Sequence, residues 1–253
     1  MKANARLLVC ALAAILCCGG VQAQNKKIYL ASSSSRYPNE RPIWSEKQAQ
    51  EWFDKHSPIK GINHPEPPCD AVSQDEALQR AAQIGYNSVR WWPNSWDYIN
   101  SVDNYATIAA KHGINCAPVF GFTHVPTSAS DSTSMEKKVR EIIRYFRGDE
   151  RIIMWDIWNE PLMSGEDCRD QMKWIRIIAQ WCREEGCTQA ITSSILWDPD
   201  ISAAKENAYT SVRREAEKEM DLHNFHDYVM QESHSANITY VMNRFKKIDN
   251  RPL

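Results

Sequence analysis

The sequence predicts an α/β protein of the (β/α)8 barrel type, incomplete, with about six of the eight β/α units present. Three observations carry that expectation. Short apolar, strand-like runs alternate with amphipathic helical stretches, the pattern of βαβ units around a parallel sheet. Glycines punctuate the alternation at Gly85, Gly113, Gly148 and Gly186, where each helical pattern stops. No glycine-rich phosphate loop follows the first strand, which argues against a dinucleotide-binding open sheet.

The elements follow in order. A helix is expected after Ser45, where Gln48 three residues on completes a capping box. Ile59 to His64 reads as the first strand. Ser73 and Glu76 form a second capping box, opening a helix with Ala77, Leu78, Ala81, Ala82 and Ile84 on one face. Ser88 to Trp92 is the second strand, followed by a helix carrying Val102, Tyr105, Ala106 and Ala109. Ile114 to Phe120 is the third strand, and its helix carries Val139, Ile142, Ile143 and Phe146. The fourth strand runs from Ile152 to Trp158, and its helix carries Met172, Ile175, Ile178, Ala179 and Cys182. Ala190 to Leu196 and Asp221 to Tyr228 supply strands five and six. A last helix shows Ile238, Val241, Met242, Phe245 and Ile248 at helical spacing. A full barrel needs eight units, so the pattern implies that a seventh strand would begin near Leu253.

Composition narrows the function classes. The chain has 253 residues, of which 43% are hydrophobic and 25% charged, with a formal net charge of −2. No Lys/Arg-rich run is present, which excludes a broadly basic nucleic-acid binder. Ten tryptophans outnumber nine tyrosines and six phenylalanines. A Trp-rich core would explain this, as would a flat ligand such as a sugar ring, which suits a broad π face with one N–H donor.

The N-terminus reads as a secretory signal over residues 1–23. Lys2 and Arg6 precede an apolar Leu7 to Leu16, and Val21-Gln22-Ala23 offers a small-residue cleavage site. The chain is therefore expected to be secreted or periplasmic, and the apolar run is too short to span a bilayer. A lipoprotein signal at Cys17 or Cys18 is the alternative, disfavoured by Leu16 before Cys17. Residues 24–44 read as an irregular segment, and 45–253 as the partial barrel. Removing the leader leaves Cys69, Cys116, Cys168, Cys182 and Cys187, without CxxC or zinc-like spacing. A Cys182–Cys187 bridge across a helix end is one option among them.

The chemistry centres on strand four, which ends Trp155-Asp156-Ile157-Trp158-Asn159-Glu160-Pro161. Barrel enzymes build their sites at the C-terminal ends of the strands. Pro161 disfavours helical geometry for the residue before it, which is expected to end the strand at Glu160. A carboxyl walled by Trp158 would be partly desolvated and could serve as a general acid. Asn159 beside it can donate to a sugar hydroxyl. Strand alternation puts Asp156 on the same face as Glu160, so Arg90 could pair with Asp156. His226 and Tyr228, two apart, would share a face of strand six. His223 and His226, three apart, would face opposite sides, which argues against a metal pair. Trp91, Trp92, Trp96 and Trp197 fall at or just after strand ends and are candidate sugar platforms, while Trp174 and Trp181 belong to a helix and read as packing residues.

The heptapeptide resembles the fourth-strand signature of the clan A retaining glycoside hydrolases, and the ordered set is most similar to the cellulase-like family five and its relatives. The resemblance covers about residues 46 to 253. It implies that Glu160 is the catalytic acid/base and that Asn159 binds the hydroxyl next to the scissile carbon. Arg90 is similar to the arginine that holds the nucleophilic carboxylate, and His226-Asp227-Tyr228 to the His-x-Tyr pair that lines the cleavage subsite. His124, in the loop after strand three, falls near a histidine of that family. The implied activity is hydrolysis, with retention, of a β-linked polysaccharide or oligosaccharide. No cofactor or metal is implied, and the partner is the carbohydrate itself. The resemblance places the nucleophile on strand seven, past Leu253, so this segment alone is expected to be inactive. A truncated or decayed sugar-binding product is the alternative.

Overall fold

The computed structural model describes residues 37–64, 71–161, 166–196 and 208–226, together with 238–239, 242–243, 246 and 249–252. The chain divides into two units, Met1–Pro38 and Asn39–Leu253. The expected signal segment lies in the first unit and outside the described residues. The regular elements among the described residues belong to the second.

The order is α1 (Glu46–His56), β1 (Gly61–His64), α2 (Ala71–Gln83), β2 (Ser88–Trp91), α3 (Tyr98–Lys111), β3 (Asn115–Pro118), α4 (Ala129–Phe146), β4 (Met154–Asn159), α5 (Glu166–Glu184), β5 (Ala190–Leu196), α6 (Ala208–Lys218) and β6 (Phe225–His226). Strands pair in parallel in chain order, β1 to β3 and β4 to β6. Parallel bridges Cys116↔Ile152 and Val119↔Asp156 join the two sets at β3 and β4. This is the (β/α) barrel arrangement, with six consecutive strands described.

Apolar periodicity placed the helices correctly because their inward faces are apolar and buried. Val102, Tyr105, Ala106 and Ala109 of α3 are at most 2% exposed, as are Val139, Ile142, Ile143 and Phe146 of α4. The same holds for Met172, Ile175, Ile178, Ala179 and Cys182 of α5. Each such side chain removed from water contributes about 1.5–3 kcal/mol for the larger ones. Trp174 and Trp181 pack against this core from α5, as the helix position implied. The Ser45 capping box forms as expected: Gln48 N–H donates to Ser45 Oγ (3.3 Å), and Ser45 N–H donates to Gln48 Oε1 (3.0 Å).

Several expectations need correction. Helix α2 starts at Ala71, so Ser73 lies in its first turn and does not cap it. Ile84 follows the end of that helix and is 76% exposed, because the chain has already left the helical path that would turn it inward. The described part of β6 is only Phe225–His226; residues 221 to 224 are bent and irregular. His223 is therefore not on a strand, and alternation says nothing about its direction. Cys182 and Cys187 remain buried thiols. Their backbones close α5 instead: Cys187 N–H donates to Cys182 C=O across Gly186, which turns with φ +70°. Helix α6 was not expected at all. Cys69 and most of the expected last helix lie outside the described residues.

Candidate active site

The C-terminal ends of β2, β4, β5 and β6 carry one connected polar cluster. At its centre Asp156, 1% exposed, is the acceptor for Arg90. The guanidinium donates to Asp156 Oδ2 through Nε (2.9 Å) and Nη2 (2.6 Å). Of the two roles open to Arg90, the structure displays the ion pair. Ser194 on β5 adds a backbone N–H to Asp156 Oδ1 (3.2 Å) and its hydroxyl to Oδ2. Asn224 in turn donates to Ser194 Oγ (3.0 Å). A carboxylate this deep requires such partners, since a buried charge without them would cost several kcal/mol.

Arg90 also donates through Nη2 to Asn159 Oδ1 (2.6 Å). Asp156 and Asn159 are three apart, which in a regular strand would point them to opposite faces. A bulge reconciles the two contacts. The register runs Asp156↔Thr192 and then Asn159↔Ser194, three steps along β4 against two along β5. The simple alternation that grouped Asp156 with Glu160 is thus broken between them. Asn159 is fixed by its oxygen, which leaves its amide nitrogen to donate outward.

Glu160 lies one residue past the end of β4 and not at its last position. Its backbone adopts φ +46°, the left-handed region, which costs an L-residue roughly 1–2 kcal/mol. The N–H donates to Ser194 C=O (2.8 Å), holding the turn. Its Oε1 stands 2.6 Å from His226 Nδ1 on β6, a hydrogen bond that either partner can donate. The Glu160 side chain is 27% exposed and that of His226 16%. Strained backbone that survives on local bonds is common where function needs a particular side-chain direction.

Glu160, with His226 bonded to its carboxyl, lines a cleft of about 580 Å³, a size typical of small-ligand sites. Trp92, Phe122 and Trp158 wall it with aromatic surface, and Asn159, Glu160, His124, Asp167 and Gln171 add polar groups. The Arg90 guanidinium lies over the Trp92 ring, 4.5 Å from its centre. Trp158 is 2% exposed, its carbonyl accepting from Ser193 Oγ (2.9 Å), so it forms a firm wall. Beneath, the Tyr98 hydroxyl donates to Val119 C=O (2.9 Å). Burial first, and then the Asp156 charge, push its pKa well up.

The structure therefore brings together Glu160, Asn159, Arg90, His226, Trp92 and His124. It removes Trp91 from the set. That indole is fully buried and stacked on Tyr105 with ring centres 4.5 Å apart. Strand alternation turns Trp91 toward α3 and the core, so it offers no face to a ligand. Tyr228 and Trp197 lie outside the described residues. Sequence reasoning missed Ser194, Asn224, Phe122, Asp167 and Gln171. For Ser194 a signal existed, since it is a hydroxyl near the C-terminal end of an expected strand, where barrel sites are built. Asp167 and Gln171 sit on the first turns of α5, where no periodicity marks a site.

No protein-family model and no curated protein matches the chain. Solved structures do resemble its fold. The β-mannanase of the blue mussel Mytilus edulis aligns over 68% of this chain and 70% of its own, with TM-score 0.51 and 14% identity. A β-glucuronidase from Lactobacillus rhamnosus aligns over 77% of this chain and 34% of its own, with TM-score 0.51 and 16% identity. An endo-laminarinase from Formosa Hel1_33_131 aligns over 71% and 52%, with TM-score 0.50 and 10% identity. At such identities the likeness is one of fold, and it agrees with the barrel seen here. This chain spans only a third to a half of the last two proteins.

Proposed function

We propose that this domain is a glycoside hydrolase of the retaining type, acting on a β-linked polysaccharide or oligosaccharide. The observation that carries the reading is the pairing of Glu160 with His226 at the mouth of an aromatic-walled cleft. In this reading Glu160 protonates the departing glycosidic oxygen and later takes a proton from water. His226, sharing a hydrogen bond with Oε1, orients that carboxyl and buffers its charge as the proton leaves. The free amide of Asn159 donates to the hydroxyl beside the scissile carbon. Trp92 presents an aromatic face to the pyranose, and Trp158 is the buried wall behind the site. That three fold neighbours are named mannanase, glucuronidase and laminarinase adds support of an associational kind.

Retention requires a second carboxyl about 5–5.5 Å from the first, to form the glycosyl-enzyme intermediate. In the proposed mechanism it belongs to the next strand of the barrel after β6. Secretion through the N-terminal leader fits a substrate met outside the cell and is part of the same proposal.

A non-catalytic, sugar-binding role for the same cleft is the second reading. It is favoured by Asp167, the other carboxylate among the described cleft residues, which is an exposed helix residue and not a strand-end group. One experiment separates the two. A form of the protein extended through the strand that follows β6 is purified and assayed for new reducing ends and for binding on β-1,4-mannan, β-1,4-glucan and β-1,3-glucan oligosaccharides. The enzymatic reading expects hydrolysis that falls about 10²–10⁴-fold in Glu160→Gln with binding retained. Binding without hydrolysis supports the second reading, and hydrolysis unaffected by Glu160→Gln overturns the role given to Glu160.

A further inference from the structure

Trp96 is 96% exposed, whereas tryptophan is among the most buried residue types on average. Its surroundings are nevertheless ordered by specific bonds. Its backbone N–H donates to Asn94 Oδ1 (2.9 Å), and Asn94 N–H donates to Ser101 Oγ (3.0 Å) at the start of α3. Lys138 Nζ, from α4, donates to Ser95 C=O (3.3 Å). The backbone leading into the indole is thus tied to two helices, and the ring is left in water.

Position gives the exposure a meaning. Trp96 lies on the loop after β2, at the end of the barrel that carries the cleft. Trp92, four residues earlier, lines that cleft. Lys138, which holds Ser95, also lies over the rings of Tyr98 (5.2 Å) and Phe122 (5.8 Å), and Phe122 is a cleft wall. The loop bearing Trp96 is therefore fastened to the rim of the cleft. Ile84, Tyr86 and Tyr145, other exposed large apolar residues, fall at the C-terminal ends of α2 and α4, which a β/α barrel places at its opposite face.

We infer that Trp96 is a distal sugar-binding platform, stacking on a pyranose ring of a glycan chain that extends past the cleft rim. The inference rests on the glycan-binding reading of the cleft and sharpens it: the ligand is an oligomer long enough to reach from Glu160 to the β2 loop. A pyranose presents a face of C–H groups to an aromatic ring, and an indole has only two side-chain torsions to lose when it engages one. Exposure is then the working state of the ring.

The test compares wild type, Trp96→Ala and Trp96→Phe for binding trioses and hexaoses of β-1,4-mannose, β-1,4-glucose and β-1,3-glucose by calorimetry. The indole contacts little of the fold, so both variants should unfold at the wild-type temperature. For the hexaose that binds, Trp96→Ala should weaken affinity about tenfold, with Trp96→Phe intermediate. Affinity for the matching triose should be unchanged. Equal hexaose affinity in wild type and Trp96→Ala overturns the platform and leaves the cleft reading standing. So does an equal loss for triose and hexaose. If wild type binds none of these ligands, the glycan reading itself fails, and the platform with it.

Discussion

Arg90 shows how one residue can serve both the fold and the site. Its guanidinium neutralises buried Asp156, positions Asn159 and lies over Trp92. Lysine carries the same charge but lacks the planar fork that reaches two acceptors at once. Arg90→Lys is therefore expected to weaken the proposed glycan binding while preserving most of the fold. Asp156→Asn leaves the arginine without its counter-charge, and breaking a buried pair from one side costs about 3–5 kcal/mol. Denaturant midpoints and binding calorimetry on both variants check this; an Asp156→Asn protein as stable as wild type would show that the pair contributes nothing. The parts of the site legible in the sequence were those that sit at strand ends in chain order: Arg90, Asn159, Glu160, His226 and Trp92. The bulge in β4 was illegible, because register depends on the partner strand and leaves no local mark. For the same reason the assignment of Trp91 failed. Two adjacent tryptophans at a strand end must face opposite ways, and only the packing of Tyr105 decides which one faces the core.

At the scale of elements, helix ends separate local geometry from tertiary fit. Gly113 and Gly186 both close helices with φ +70°, and each passes the following N–H to a carbonyl five residues back. A Cβ at Gly113 would meet nothing within 4 Å, so Gly113→Ala should cost only the left-handed strain, about 1–2 kcal/mol. A Cβ at Gly186 would stand 2.5 Å from the Asn39 carbonyl oxygen and 2.8 Å from its Cβ. Backbone of a separate segment must then move, so Gly186→Ala should be clearly more destabilising than Gly113→Ala. Urea titrations of the two variants rank them; equal midpoints would mean that the segment at Asn39 yields freely. Both glycines were readable as helix stops, but the segment packed on Gly186 was not. Helix α6 was missed for a different reason. Its buried face includes Arg213 and Glu217, 4% and 3% exposed, so the apolar period that revealed α3, α4 and α5 is absent. Charged groups can fill an inward face when they find partners across it, as Arg183 of α5 does with Glu219, at 2.8 Å. Hydropathy then reports a surface where there is a core.

Across the whole second unit, ion pairs tie together segments far apart in sequence, and this sets how the protein should respond to acid. Arg41 forks onto Asp221 (3.0 and 2.6 Å), anchoring the segment before α1 to the residue whose carboxylate also accepts from Ile191 N–H on β5. Arg140 and Arg144 of α4 grip Glu185 beyond α5, and Arg140 also reaches Glu184. Asp249, near the C-terminal end, accepts from Arg251 and bonds His223 Nε2 at 2.8 Å. Burial opposes the charge on Asp249, but the Arg251 and His223 bonds outweigh it and hold the carboxyl at about 2. Bonds from arginine hold Asp149 and Glu185 below their ordinary range as well, again against burial. A carboxyl depressed in the folded state contributes stability above its unfolded pKa, and loses that contribution as pH falls through the folded value. For Asp249 the window runs from about 4 down to about 2 and is worth about 2 kcal/mol. His223 adds to the same trend at higher pH. Burial lowers its pKa despite Asp249, so the folded state resists taking up a proton that the unfolded chain accepts below about 6.5. Stability should therefore begin to decline below about pH 6.5 and fall more steeply below about pH 4. Asp249→Asn should be less stable at neutral pH and show a shallower loss between pH 4 and 2. Thermal midpoints recorded from pH 7 to pH 2.5 test this, and curves of equal slope for the variant and wild type would remove Asp249 from the account.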